Sequence, residues 1–241
     1  MQKRLDVYLS ENNKVKSRSL AASLIKQGSV EVNGRICTKA SFAVDENDNI
    51  RIIGEMPKYV GRGGLKLEKA LSHYRLHLDG SVCIDIGAST GGFTDCMLQN
   101  GAVKVYSVDV GTDQLDEKLR NDPRVVSMEK TDIRNCVGSL PAVDFIGIDV
   151  SFISLKLVLP SAYALLKDGG ECVALIKPQF EAGKSHLSKH GIVRDSKVHK
   201  KVCDDISEFA STLGFERGEV ISSPITGGDG NTEYLIYLRR L

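Results

Sequence analysis

Two charged residues close apolar runs in the second half of the chain. Asp149 ends Asp144-Phe-Ile-Gly-Ile-Asp149, and Lys177 ends Ala174-Leu-Ile-Lys177, which continues Pro-Gln-Phe-Glu181. A lysine at the mouth of a strand beside an aspartate is a candidate general base. The plain alternative is an ion pair at a sheet edge. An earlier stretch, Ser81-Val-Cys-Ile-Asp-Ile-Gly-Ala-Ser-Thr-Gly-Gly-Phe-Thr-Asp95, reads as a buried strand carrying Asp85, a turn and a helix opening at Phe93. The turn carries Gly87, Ala88, Ser89, Thr90, Gly91 and Gly92. Strand, tight turn and helix N-terminus in that order let main-chain N–H groups hold a ligand at the edge of a parallel sheet. Ser89 stands where a G-x-G-x-x-G motif would place its second glycine. A nucleoside site of the S-adenosylmethionine (SAM) type is therefore expected over a dinucleotide site, and a sharp turn holding no ligand is the alternative. Asp109, 24 positions after Asp85, suits the hydroxyls of a bound ribose. Thr131 and Asp132 follow a third apolar run, within reach of an adenine.

The elements that must position these residues alternate. Strand patterns fall at 82–86, 103–109, 124–128, 143–149, 171–177, about 215–222 and 232–238, and helix patterns at 65–75, 92–100, 113–120, 155–166 and 197–213. Continuous apolar strands with intervening helices predict an α/β fold with a mostly parallel sheet covered on both faces. Ligands of such sheets sit beyond the carboxyl ends of the strands, where the polar residues lie.

The N-terminal part has a different texture. Residues 1–40 carry eight Lys/Arg and three Asp/Glu, on a chain of 241 residues whose net charge is +1. A small basic head on a near-neutral body raises RNA or DNA as a partner, against the plain reading of a solvated face. Leu5, Tyr8 and Leu9 predict a helix over 3–11, and Ser17 caps a second over 18–27 that Gly28 stops. Val30 and Val32 lead into Asn33-Gly34, a hairpin signal, and Ile50-Arg-Ile-Ile53 is a further short strand. Gly54 to Val60 breaks the periodicity, giving domains at 1–54 and 61–241 joined by a linker at 55–60. Gly61-Arg-Gly-Gly64 before the next helix is a flexible joint or an approach to phosphate, with the joint favoured.

Other classes are disfavoured. The six cysteines form no C-x-x-C pair, so reduced thiols of a cytoplasmic protein are expected, without disulfides. His186, His190 and His199 lack metal-ligand spacing, so no metal is expected. The opening Met-Gln-Lys-Arg-Leu-Asp has no apolar core, and the most apolar stretch, Ala142–Leu166, is broken by Asp144, Asp149, Lys156 and Pro160. Neither a secretory signal nor a membrane span is expected.

Two resemblances cover the chain. Arg4-Leu5-Asp6, Ser17-Arg18, Leu24-Ile25-x-x-Gly28-x-Val30-x-Val32-Asn33-Gly34 and Asp48-x-Ile50 resemble the S4 RNA-binding fold. That resemblance implies RNA contacts from Lys3, Arg4, Lys16, Arg18, Lys26 and Arg35. Arg62-Gly-Gly-Leu-Lys66-Leu, Asp85 to Thr94, Asp149-Val-Ser-Phe-Ile153 and Lys177-Pro-Gln-Phe-Glu181 resemble the FtsJ-like RNA 2′-O-methyltransferases. With the head attached, the whole resembles the hemolysin-A (TlyA) family of ribosomal RNA methyltransferases. The resemblance implies a class I SAM-methyltransferase fold, Rossmann-like with seven strands, behind a small α+β S4-like domain. It implies SAM as cofactor and ribosomal RNA or a ribosomal subunit as partner, with no obligate protein partner evident. The reaction it implies is 2′-O-methylation, at cytidine, in 16S rRNA, 23S rRNA or both. It places a Lys-Asp-Lys-Glu tetrad on Lys66, Asp149, Lys177 and Glu233, with Lys69 the rival for the first lysine. Asp85, the turn from Gly87 to Phe93, Asp109, Thr131, Asp132 and Asp149 become the cofactor-binding set, and Arg62 joins the RNA contacts. The competing readings are a non-catalytic RNA-binding protein that keeps only the head's function, and a pore-forming haemolysin. A pseudouridine synthase fused to an S4 domain is disfavoured because its usual catalytic Asp motif is missing.

Overall fold

The structure, a computed structural model, describes residues 2–15, 17–26, 28–53 and 57–241. The chain divides into two units, Met1–Met56 and Pro57–Leu241, each with its own core.

In the first unit, strand β1 (Lys3–Arg4) precedes helix α1 (Leu5–Glu11), and α2 spans Arg18–Lys26. Strands β2 (Val30–Val32), β3 (Arg35–Ile36), β4 (Ala43–Val44) and β5 (Ile50–Ile52) follow. β2 lies between β3 and β5, antiparallel to both, and β1 pairs antiparallel with β4. Asn33 and Gly34 both have positive φ, 53° and 77°, which the two-residue β2–β3 turn requires. Leu5, Leu9, Leu24, Ile25, Val30 and Val44 are fully or almost fully buried together. The helix expected over 3–11 starts only at Leu5. Lys3 and Arg4 are drawn into register with Val44 and Ala43, and Leu5 N–H donates to the Phe42 carbonyl at 2.7 Å.

The second unit opens with α3 (Gly63–Tyr74), β6 (Val82–Ile86), α4 (Gly92–Gln99) and β7 (Lys104–Val108). It continues through α5 (Glu117–Arg120), β8 (Val125–Met128), β9 (Val143–Ile148), α6 (Leu155–Leu165) and β10 (Leu166–Ile176). It ends with α7 (Pro178–Glu181), α8 (Ser196–Thr212), β11 (Phe215–Ser222) and β12 (Tyr234–Arg240). One seven-stranded sheet runs β11-β12-β10-β9-β6-β7-β8, with β12 antiparallel to both neighbours and the strands from β10 through β8 mutually parallel. Alternate side chains of the central strands fill two layers. Ile84, Ile86, Ile146, Ile148 and Ala174 pack with residues of α6 and α8 on one face. Cys83, Val105, Phe145, Val173 and Leu175 pack with residues of α3 and α4 on the other.

Two expectations are corrected here. Residues 113–120 are not one helix, because Asp113, Gln114 and Leu115 N–H groups donate to the Glu129 carboxylate, and only Glu117–Arg120 coils. Gly54–Met56, part of the expected linker region, lie outside the described residues. Residues 57–60, expected as linker, belong to the second unit. Tyr59 is buried in its core, and Val60 N–H donates to Asp95 Oδ2 at 2.9 Å.

Candidate active site

The chain leaves β6 for β7 and β8 on one side, then returns to β9 on the other side of β6. Such a reversal opens a crevice at the strand carboxyl ends. The glycine turn follows β6, Asp149 follows β9, and Lys177 follows β10. Gly87 lets the first two meet: a Cβ there would lie 2.6 Å from the Asp149 carbonyl oxygen. Gly92 does the same for α3, since a Cβ on it would fall 2.9 Å from Gly64 N. The glycines of Gly61-Arg-Gly-Gly64 are closely packed, since a Cβ on Gly61 would lie 2.6 Å from Thr90 Oγ1 and one on Gly64 would strike the Tyr59 ring. They allow the starts of α3 and α4 to touch, and that contact brings in Lys66.

Four charged side chains meet there. Lys66 Nζ donates to Glu233 Oε2 at 2.7 Å and lies 3.6 Å from Asp149 Oδ2. Lys177 Nζ lies 2.7 Å from Asp149 Oδ1 on the carboxylate's other side. That approach is a charge contact, without hydrogen-bond alignment at Oδ1. The aligned N–H of Lys177 goes instead to Ser151 Oγ at 2.8 Å. The side chains of both lysines are 9% exposed and that of Glu233 3%, so two cations and two carboxylates balance in a nearly dry cluster. Lys69 is exposed, outside this cluster. The cluster opens onto a cavity of about 290 Å³.

Several residues of this cavity have no counterpart among the motif residues assigned roles from sequence: Ser151, Phe152, Gln179, Phe180 and the 225–229 loop. A strand-end rule extended by two residues would have found Ser151. Phe152 lies inside the Asp149–Ile153 motif but takes no role from it; it is 89% exposed with φ 64° and packs its ring 4.9 Å from that of Phe180. Glu181, its carboxyl raised by burial, accepts from Ser154 Oγ at 2.6 Å and Leu155 N at 2.8 Å. It thereby ties the short helix after Lys177 to the loop after Asp149.

Glu233 precedes β12, whose expected start at 232 moves to Tyr234. Asn231, almost fully buried, accepts from Val193 N and donates to the Gly191 carbonyl. His199, in the first turn of α8, is buried and bonds both the Val193 carbonyl and Tyr234 Oη at 2.9 Å. The end of the long 181–193 loop is therefore fastened to the segment carrying Glu233.

Around the glycine turn, Ser89 and Thr90 are exposed while Ala88, Gly91, Gly92 and Phe93 are buried. Asp109 braces the turn: Oδ2 accepts from Ser89 N at 2.8 Å and Oδ1 from Gly111 N at 2.7 Å. A carboxylate has about four lone-pair directions, so two remain for ribose hydroxyls. Asp85, expected to contact cofactor, is 0% exposed beneath the turn, where Oδ2 accepts from Thr94 N and Oγ1. Burial pushes its carboxyl up to about 7 against the pull of the Thr94 bonds. Asp85 Oδ1 is a buried acceptor without a hydrogen-bond partner among the described residues. Asp132 caps a short 3₁₀ helix and pairs with Arg134 at 2.6 Å, and Thr131 Oγ1 donates to the Glu129 carbonyl. The exposed turn residues and the free lone pairs of Asp109 fit a bound nucleoside of the SAM type.

Among the head's candidate RNA contacts, Arg4 and Arg18 both bond Asp6, at 2.9 Å each, and together hold its carboxyl well below the usual carboxylate range. Lys3 pairs with Glu11 at 2.5 Å. Lys26 and Arg35 are exposed with no ion pair among the described residues. Lys16 lies outside the described residues. Arg62, in the second unit, is exposed on the cavity wall.

The family described as FtsJ-like methyltransferase matches residues 59–240, and the S4 domain matches residues 3–50. Sheet order, glycine turn and match define a SAM-dependent methyltransferase of the FtsJ-like class. Hemolysin A of Brachyspira hyodysenteriae is 42% identical, covering 97% of this chain and 98% of its own. The 16S/23S rRNA (cytidine-2′-O)-methyltransferase TlyA of Mycobacterium tuberculosis is 37% identical, over 98% of this chain and 89% of its own. A solved structure from Streptococcus thermophilus that carries a hemolysin name is 45% identical with a TM-score of 0.79, over 99% of this chain and 88% of its own. The chain belongs to the hemolysin-A (TlyA) family.

Proposed function

We propose that this protein transfers the methyl group of SAM to a ribose 2′-hydroxyl of ribosomal RNA, at a cytidine of the small or large subunit. The observation that carries the proposal is the cluster of Lys66, Asp149, Lys177 and Glu233 on one cavity, beside the glycine turn across the same strand ends. When bound, SAM supplies a methyl group on a sulfonium, already a good leaving group. What remains for the protein is alignment and one proton. Ser89, Thr90 and Asp109 hold the donor. Lys177 gives up a proton to solvent before the step; its lone pair then takes the 2′-hydroxyl proton as the O–CH3 bond forms and the S–CH3 bond breaks, and Asp149 fixes the resulting ammonium. Lys66 and Glu233 position the ribose and keep the site neutral. Phe152 and Phe180 offer an aromatic face to a base splayed out of its stack. The S4 domain binds structured RNA through its cations.

As for the haemolysin reading, among the described residues no helix is long and apolar enough to cross a membrane. Lys177→Ala is expected to bind SAM with unchanged affinity in calorimetry and to lose about 10²-fold or more in methyl transfer. Full turnover by that variant overturns the assignment. Mapping 2′-O-methylation in ribosomal RNA from cells with and without the gene identifies the nucleotide, and identical maps overturn the substrate.

A further inference from the structure

We infer that Ser151 is a fifth functional member of this site, the residue that fixes the direction of the Lys177 ammonium. The inference rests on the methyl-transfer reading above. An ammonium has three N–H donors and no preferred azimuth on its flexible stem, so a single charge contact leaves its donors free to rotate. Here Asp149 supplies charge at 2.7 Å without hydrogen-bond alignment, and Ser151 supplies the aligned acceptor at 2.8 Å. Ser151 thereby fixes one donor direction while Asp149 supplies charge beside it, and Lys177, Ser151 and Asp149 all line the cavity. The Phe180 ring stands 6.0 Å from the same Nζ and closes another side with an aromatic face.

Ser151 is itself exposed on the cavity, two residues beyond Asp149. Having accepted from Lys177, its hydroxyl retains its own proton, and no acceptor for it occurs among the described residues. The backbone holds the residue in place: Phe152 next to it takes φ 64°, a strained conformation for an aromatic residue. The loop is anchored at Ser154 and Leu155 by Glu181, which follows Lys177 by four residues. Asp149, Ser151 and Lys177 are thus registered to one another from both ends of the loop.

The test uses the full-length chain, SAM and ribosomal subunits from cells lacking the gene, with wild type and Lys177→Ala alongside. Ser151→Ala is expected to lower kcat about tenfold, the scale of one hydrogen bond to a charged group. Its KM for the subunits and its SAM affinity should stay unchanged. Ser151→Thr, which keeps the hydroxyl, should recover most of the rate. A structural role would move stability or SAM affinity and would not separate Thr from Ala. Wild-type kcat in Ser151→Ala, or equal losses in the Ala and Thr variants, overturns the inference. If Lys177→Ala is inactive while Ser151→Ala is unimpaired, only this inference fails. If Lys177→Ala keeps full turnover, the underlying reading fails.

Discussion

The charge cluster is nearly dry, and that decides what a single substitution in it does. Lys66 is wedged between Glu233 and Asp149, and Glu233 has no other ion-pair partner among the described residues. Removing Lys66 leaves a carboxylate with 3% exposure uncompensated, a loss on the order of 3–5 kcal/mol. Lys66→Ala should therefore melt well below wild type. Glu233→Gln added to that variant should restore part of the loss, because the orphaned charge is gone even though one more native group has changed. Thermal melts of the two single variants and the double variant form a cycle that isolates the pair. Simple additivity would mean that the ion pair does not carry the stability. Glu233 was also the least legible site residue. Its partner lies 167 positions earlier, and its own surroundings have no strand-end or glycine signature, so only family resemblance pointed to it.

At the scale of elements, the strand ends were legible because a buried parallel strand is a continuous apolar run, and the charge that stops the run marks its mouth. Asp149 and Lys177 follow that rule. The elements the sequence misplaced are those set by distant partners. Lys3 and Arg4 become a strand through residues forty positions away, and the helix expected from 113 is shortened by Glu129. The φ of Phe152 is likewise imposed by the fold.

The β6–α4 junction has a titrating brace with a calculable consequence. Asp85 is raised from 3.8 to about 7 in the folded chain. A raised carboxyl favours the folded state when protonated, so its contribution is complete below about pH 4 and is lost as pH rises through about 7. The three-unit gap corresponds to at most about 4 kcal/mol. Asp85→Asn cannot ionise, and it still offers an oxygen to the Thr94 donors. Denaturation of both proteins from pH 4 to 8 should show the variant gaining on wild type across that interval, whatever constant offset the substitution adds. A pH-independent difference would place the titration elsewhere.

At the scale of the whole molecule, two units divide the work, and the charge distribution says how. The basic excess sits in residues 1–40, while residues 61–241 carry 22 Lys/Arg and 24 Asp/Glu. Affinity for RNA should therefore depend on salt chiefly through the head, since each phosphate neutralised releases counterions. The head's cations are not equivalent. Arg4 and Arg18 share Asp6, whose side chain is nearly buried, so part of their charge is already answered and part of their role is structural. Lys26 and Arg35 have no such partner among the described residues, and their charge is fully available to phosphate. Replacing either with Ala should lower the magnitude of the slope of log affinity against log salt by about 0.7–0.9. SAM affinity and thermal stability should be unaffected, because the residues proposed to hold SAM lie in the other unit. Asp6→Asn should do the reverse. It frees two guanidiniums and leaves the salt slope at least as steep, while destabilising the head whose helices that carboxylate joins. RNA-binding titrations at several salt concentrations separate the two outcomes. An unchanged slope in both Lys26→Ala and Arg35→Ala would move the RNA surface away from these two residues.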